Sequence, residues 1–282
     1  MKVLITGARG QVGREVSRVF EANGNHDVLS CSRNEIDVAS RDSVFCAITS
    51  FQPDVVVHCA AYTAVDAAET DPDNAYLVNP LGTRHVVGAA DVVGARVIVP
   101  STDYVFDGTK RSPYREWDET NPLNVYGHTK LASEKECRPA DAIIRTSWVF
   151  GRYGHNIVKT LIELAAKSDE VTFVNDQVGK PTCAEDLAAA TYQVAVNRLS
   201  GVFHVTNEGE TTWFDLAREV FEAAGADPQR VLGKETDQIE PKRPAIRPRY
   251  SVLDTLAWKA SGMNPLTDHR EALHRVVKEL MG

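Results

Sequence analysis

At 282 residues, with 43% hydrophobic and 25% charged side chains, the chain has the length of one large domain or a domain with a lobe. A formal charge of −8 argues against a general nucleic-acid binder, and no apolar run approaches the length of a membrane span. Five scattered cysteines (Cys31, Cys46, Cys59, Cys137 and Cys183), never in CxxC spacing, speak against a disulfide framework or zinc site and for a reducing, cytoplasmic setting.

Residues 2–6, KVLIT, predict a buried strand that starts without the pattern of a secretory leader. Gly7, Gly10 and Gly13 follow as G-x-x-G-x-x-G, and a helical pattern through Val16, Val19 and Phe20 ends near Asn23-Gly24. Strand, glycine turn and helix form the context of a dinucleotide site. The glycines let the backbone approach a pyrophosphate, and the helix N-terminus favours its charge. A second strand is expected at Asp27–Cys31. NAD-selective folds place an acid at its end, whereas this segment offers Ser30, Cys31, Ser32 and Arg33, with no acid before Glu35. Arg9 and Arg33 match a 2′-phosphate, which leans the reading to NADPH with NADH as the alternative. Ile36, Asp37 and Val38 suit a carboxylate and an apolar wall near an adenine.

A helix over Asp42 to Phe51 and a strand over Val55 to His58 come next. Cys59 to Thr63 leaves that strand at its carboxyl end, where small residues admit a flat group above a parallel sheet. Asp66 to Asp73 reads as an acidic loop and Ala75 to Val93 as a long helix, inside which Asn79 suggests a bonding role. The strand Arg96–Val99 delivers Ser101-Thr102-Asp103-Tyr104, with Pro100 expected to end its pairing. Thr109 to Pro122 is a long polar loop, suited to a substrate-side flap. The helix Val125–Glu136 places Tyr126 and Lys130 on one face, four residues apart. The ammonium is expected to lower the phenol's pKa, making Tyr126 a proton donor or acceptor near neutral pH. A strand at Ala142–Arg145 leads into Thr146–Gly151. The alternation predicts an α/β fold with a doubly wound parallel sheet.

Beyond Gly151 the pattern gives a helix over His155–Lys167, a strand at Val171–Val174, turns over Asp176–Thr182 and a helix over Ala184–Arg198. A strand at Val202–Thr206, a helix over Thr212–Ala224 and a last helix over Asp268–Leu280 complete it. Residues 237–251 set Lys242, Arg243, Arg247 and Arg249 among three prolines, four cations able to clamp a diphosphate. The expected division is a dinucleotide-binding domain over 1–150, with return segments near 171–206, and a mainly substrate-binding lobe over 151–282.

Seven motifs in order resemble the extended short-chain dehydrogenase/reductase superfamily. They are GARGQVG at 7–13, DVVVHCAAYTAVD at 54–66, VN at 78–79, STDYVFDG at 101–108, YGHTK at 126–130, DQVGKPT at 176–182 and RPRYSVLD at 247–254. The last two narrow the resemblance to the dTDP-4-dehydrorhamnose reductase family. That resemblance implies NAD(P)H-dependent reduction of a nucleotide-linked 4-keto sugar, with Tyr126 protonating the ketone oxygen at C4. It implies that Lys130 holds the nicotinamide ribose and that Thr102 bonds the developing alkoxide. It places Gly7, Gly10, Gln11, Val12 and Gly13 on the pyrophosphate turn and Asp37 and Val38 beside the adenine. Ala60, Ala61, Tyr62 and Asn79 fall with the cofactor crevice. Thr63, Val65, Asp103, Tyr104 and Trp148 fall on the sugar side and Arg247 on the nucleotide side.

Related 4,6-dehydratases carry Thr-Asp-Glu where this chain has Thr102-Asp103-Tyr104, and a phenol is a poor substitute for the acid that expels water. An epimerase would use the same Thr102, Tyr126 and Lys130, but DQVGKPT and RPRYSVLD resemble the reductases. Non-catalytic regulatory relatives can lose one of those three residues, and this chain keeps all of them. Some relatives share a divalent ion between subunits through glutamates. Glu15 and Glu185 fall at similar places, but the expectation is two surface carboxylates without a metal, in a chain that could form a homodimer. His269 stands where such reductases often carry tryptophan at the start of the last helix.

Overall fold

The computed structural model describes residues 1–282. Six parallel strands form its central sheet: β1 (Lys2–Thr6), β2 (Asp27–Cys31), β3 (Val55–His58), β4 (Arg96–Thr102), β5 (Ala142–Thr146) and, from far along the chain, Gly201–His204. Their spatial order is β2-β1-β3-β4-β5 followed by Gly201–His204 at the edge. Between them run α1 (Gln11–Ala22), α2 (Arg41–Phe51), α3 (Val65–Ala68), α4 (Pro72–Tyr76), α5 (Gly82–Val92) and α6 (Val125–Lys135). Helices cover both faces, so β3, β4 and β5 read as unbroken apolar runs rather than alternating ones. One face is packed by Val16 and Phe20 of α1, the other by Val44 and Ile48 of α2 with Val86 and Ala90 of α5.

The second half continues with β6 (Val149–Phe150), α7 (Ile157–Ala165), β7 (Val171–Val174), β8 (Val178–Gly179), β9 (Thr182–Cys183) and α8 (Ala184–Val196). Then come β10 (the edge strand Gly201–His204), β11 (Thr211–Thr212), α9 (Trp213–Ala223), β12 (Val231–Lys234), α10 (Leu256–Ala260) and α11 (His269–Met281). Leu187 and Val194 of α8 join the apolar cluster of α1. A separate core of Phe150, Leu161, Leu216, Phe221, Leu273 and Val276 lies among α7, α9 and α11. Of the segments expected to return to the sheet, α8 and β10 do so, whereas β7 pairs with β12 outside it.

Three expectations change. Residues 66–73 are not all loop: α3 and α4 fall there, with Pro72 in the first turn of α4, where its missing N–H costs nothing. The long helix is interrupted at Leu77–Leu81 by a π-helical stretch that contains Asn79 and Pro80. Pro100 does not end its strand, because β4 stays paired with β5 as far as Thr102↔Thr146. Pairing with β3 stops at Ile98, so beyond it a missing N–H interrupts no ladder on that side.

Candidate active site

The glycine turn is built by close approach. Gly7 has φ of 65°, and a Cβ there would lie 2.6 Å from the Ala60 nitrogen. A Cβ on Gly13 would lie 2.3 Å from the Gly7 carbonyl oxygen. Gly10 is the N-cap of α1, with no side chain to satisfy the first N–H groups. Helices α2, α6, α7, α9 and α11 have theirs capped by Ser40, Asn124, Asn156, Thr212 and Asp268. The open donors of α1 suit an anion.

Gly10, Gln11, Val12 and Gly13 face a cavity of about 430 Å³, lined also by Cys59, Ala61 and Thr63 after β3, Thr102 and Asp103 at the end of β4, Tyr126 and Lys130 of α6, and Trp148. The carboxyl ends of β3, β4 and β5 therefore bring most of the predicted residues together, the position expected for ligands on an open parallel sheet. Val65 begins α3 and is not among the lining residues, and Asp66 next to it pairs with Arg247 at 2.7 Å. Asn79 is fully occupied behind the cavity: its Oδ1 accepts from the Tyr62 N–H at 2.8 Å, and its Nδ2 donates to the Tyr62 carbonyl and to Thr129 Oγ1. It ties the Tyr62 backbone to Thr129 of α6.

Helix α6 is held at several points. Asn124 Oδ1 accepts from the Gly127 N–H, and Glu69 accepts from the Val125 N–H. A Cβ on Gly127 would fall 2.3 Å from the Tyr104 carbonyl oxygen, so only glycine lets the helix sit that close. Tyr126 consequently meets Tyr104 edge to face, with ring centroids 6.1 Å apart. Lys130 Nζ donates to the Pro100 carbonyl at 2.8 Å. Beneath it, Glu134 takes two bonds from buried Arg145 at 2.9 and 2.7 Å and one from Ser101. Tyr126, Lys130 and Glu134 thus descend one face of α6 at four-residue steps.

The electrostatics differ from the expectation of a lowered phenol. Burial and the Asp103 carboxyl push Tyr126 up to about 12, partly offset by the Thr102 hydroxyl. Burial lowers Lys130 to about 8, against the favourable charge of Glu134. Asp103 rises to about 7 through burial; its Oδ1 accepts from Thr102 at 3.1 Å while Oδ2 has no partner. For Tyr126, desolvation and the neighbouring carboxyl outweigh the hydroxyl that favours the phenolate.

A second cavity, of about 380 Å³, is lined by Lys242, Arg243, Arg247 and Arg249 together with Trp213, Phe173 and Ile157. Trp213 stacks on Trp148 at 3.7 Å, linking the two cavities. Trp148 holds a left-handed φ of 48°, a strained conformation for a large side chain. Gly179 makes room for it, since a Cβ there would lie 2.5 Å from the indole. The basic loop reaches the catalytic segment at Gly108, whose φ is 76° and whose Cβ would meet Pro248 at 2.6 Å.

A third cavity, at the end of β2, contains Arg9, Arg14, Arg18, Ser32, Glu35 and Tyr153. Arg33, one residue beyond Ser32, is exposed and is not among the residues that line it. Glu35 reaches back to accept from the Ser32 N–H at 2.7 Å and from its hydroxyl, so an acid does stand at this strand end. Asp37 accepts from the Ala39 N–H, and Val38 is buried under Gly82.

His58, Ser147, His155 and Asn156 also line the main cavity and were not singled out in sequence. For His58 a signal existed: it is the last residue of a strand in a parallel sheet. Its Nδ1 lies 2.8 Å from Thr6 Oγ1, and burial with the Lys130 charge lowers it to about 3. His269 is buried, 3.1 Å from Glu219, and so replaces an apolar docking residue by a paired one. Glu15 is not a surface carboxylate: it is buried and already engaged by Arg18 and Arg152, and Glu185 by Arg152 and Arg275. With guanidinium groups in place, these glutamates do not fit a shared divalent ion.

Residues 1–281 match the sequence profile of the RmlD substrate binding domain. A dTDP-4-dehydrorhamnose reductase of Streptomyces griseus is 43% identical, over 99% of this chain and 94% of that protein. A dTDP-4-keto-6-deoxy-D-glucose reductase of Streptomyces niveus is 39% identical, over 96% and 94%. The crystal structure of dTDP-4-dehydrorhamnose reductase from Bacillus anthracis in complex with NADP superposes with a TM-score of 0.94 at 35% identity, covering 99% of each chain. The chain therefore belongs to the RmlD substrate-binding family, the family of the dTDP-4-dehydrorhamnose reductases.

Proposed function

We propose that this chain is a reductase that uses NADPH to convert the C4 ketone of dTDP-4-dehydro-6-deoxy-L-lyxo-hexose to the alcohol of dTDP-L-rhamnose. The observation that carries the reading is the convergence of Thr102, Tyr126 and Lys130 on the cavity that also holds the uncapped turn at Gly10–Gly13. The cofactor, when bound, supplies the hydride for C4. Residues 1–150 with α8 and β10 carry the cofactor side, and the remainder of 151–282 mainly the sugar nucleotide.

Tyr126 is protonated at neutral pH, since burial and Asp103 hold its phenol up at about 12. It donates that proton to the C4 oxygen as negative charge develops there. Thr102 lies beside it and stabilises the same oxygen. Lys130, fixed on the Pro100 carbonyl, presents a cation toward the ribose hydroxyls and restores the proton to Tyr126. Arg247, oriented by Asp66, and its neighbours Lys242, Arg243 and Arg249 meet the diphosphate and nucleotide. Tyr104 stands where a dehydratase needs an acid, and burial raises its phenol further, so elimination is disfavoured. A cytoplasmic location is supported by five free cysteines, and no helix is long and apolar enough to cross a membrane.

The Streptomyces niveus relative makes the configuration of the sugar a real alternative. Loss of NADPH absorbance is measured with both dTDP-linked 4-keto sugars, the L-lyxo and the D-xylo epimer. The L-lyxo sugar is expected to have the higher kcat/KM. A preference for the D-xylo sugar would move the reading to the second activity, and no oxidation with either would remove the reductase.

A further inference from the structure

Three glutamates from separate helices converge on one guanidinium. Arg152 donates to Glu15 at 2.8 and 3.1 Å, to Glu185 at 3.2 Å and to Glu279 at 2.6 Å. Glu15 stands on α1 four residues after Gln11, Glu185 in the first turn of α8 and Glu279 near the end of α11. Glu15 is only 1% exposed, so its charge requires a cation in place. Arg18 adds a bond to Glu15 at 3.1 Å and one to Glu185.

Arg152 also begins a short bridge across the N-terminus of α1. Gly154 has φ of 66°, and a Cβ there would come within 3.2 Å of Gln11 Cβ. Asn156 closes the stretch by donating to the Gly151 carbonyl at 2.8 Å and caps α7 through the Lys159 N–H. The Tyr153 ring lies between Arg14 and Arg152, each 5.3 Å away, and lines the cavity that holds Arg9 and Ser32. On the other side, His155 and Asn156 line the cavity of the glycine turn. Residues 153–156 thus border both cavities, with Gly154 against Gln11 at the start of α1.

We propose that Arg152 is a positioning residue that pins this bridge to α1 and so shapes the pyrophosphate site, its guanidinium standing in for the divalent ion that such a glutamate cluster would otherwise need. The identity of the cofactor rests on the reductase reading. A planar fork can bond several carboxylates at fixed angles, which a lysine ammonium cannot reproduce. The same charge that stabilises buried Glu15 therefore also sets the distance between the bridge and Gln11.

The test combines Arg152→Met with Glu15→Gln, which removes the pair without leaving a buried charge unpaired. Arg152→Lys serves as the milder variant. Arg270→Met is the control, breaking ion pairs to Glu219 and Asp268 away from the bridge. Circular dichroism establishes folding, and NADPH binding is titrated by fluorescence alongside steady-state kinetics. The double variant is expected to weaken NADPH binding and raise its KM about tenfold, with kcat falling far less and the sugar's KM unmoved. Arg152→Lys should weaken NADPH to a smaller degree, Arg270→Met should not, and EDTA or Mg²⁺ should leave the wild-type Kd and Tm unchanged. Unchanged NADPH affinity in folded Arg152→Lys or in the folded double variant overturns the proposal, as does stabilisation of the wild type by Mg²⁺. If the wild type binds NADPH but reduces no keto sugar, the reductase reading fails while the titration still decides the role of Arg152.

Discussion

Asp103 controls the charge environment in which Tyr126 works. Its carboxyl is buried, keeps one oxygen unpartnered and titrates near 7 instead of 3.8. A raised pKa means that the folded state holds this proton more tightly than the unfolded chain does. The resulting stabilisation is complete below about pH 4 and is lost as pH rises through about 7, the window set by the ordinary carboxyl value and the shifted one. Asp103→Asn imitates the protonated form, so its Tm relative to wild type should rise between pH 4 and 7 and level off above. A Tm difference that does not depend on pH would contradict this. The pattern YxxxK placed Tyr126 and Lys130 on one face of a helix, where they stand, but led to the wrong direction for the phenol. Spacing reveals that Lys130 can approach Tyr126, whereas it says nothing of how much water both groups lose.

Helix α6 is placed by backbone proximity as much as by side chains. Gly127 sits so close to the Tyr104 carbonyl that a single methyl group must push the helix away. Gly127→Ala is therefore expected to cost about 1–3 kcal/mol by overpacking. It should also lower kcat more than it raises the KM for NADPH, because Tyr126 moves with the helix while the glycine turn stays. Thermal denaturation and steady-state kinetics check both parts; a stable, fully active variant would show that the close approach is unimportant. The helix itself was expected over Val125–Glu136 and runs over Val125–Lys135, capped by Asn124. The role of Gly127 was not, because no local pattern states which backbone will face it. Pro100 shows the same limit: whether a missing donor ends a strand depends on which neighbour is present, and β5 continues where β3 has stopped.

Across the whole molecule, contacts from the second half of the chain reach segments beside the reaction space. Arg247 of the late loop pairs with Asp66 of α3, Pro248 packs on Gly108, and Trp148 stacks on Trp213 between the two cavities. The parallel sheet was readable because strands buried on both faces are unbroken apolar runs, and the glycine turn because its context is stereotyped. The burial of Glu15 was not, since exposure depends on elements far away in sequence: Glu15 shares Arg152 with Glu185 of α8 and Glu279 of α11. The central claim is that this enclosed space passes a proton from Tyr126 to a keto sugar, and turnover by Tyr126→Phe tests it most directly. With NADPH affinity measured on the same preparation, the variant should bind cofactor as the wild type does, yet oxidise it with the 4-keto sugar about 10²–10⁴-fold more slowly. A Tyr126→Phe protein that turns over within a few-fold of wild type would contradict the account.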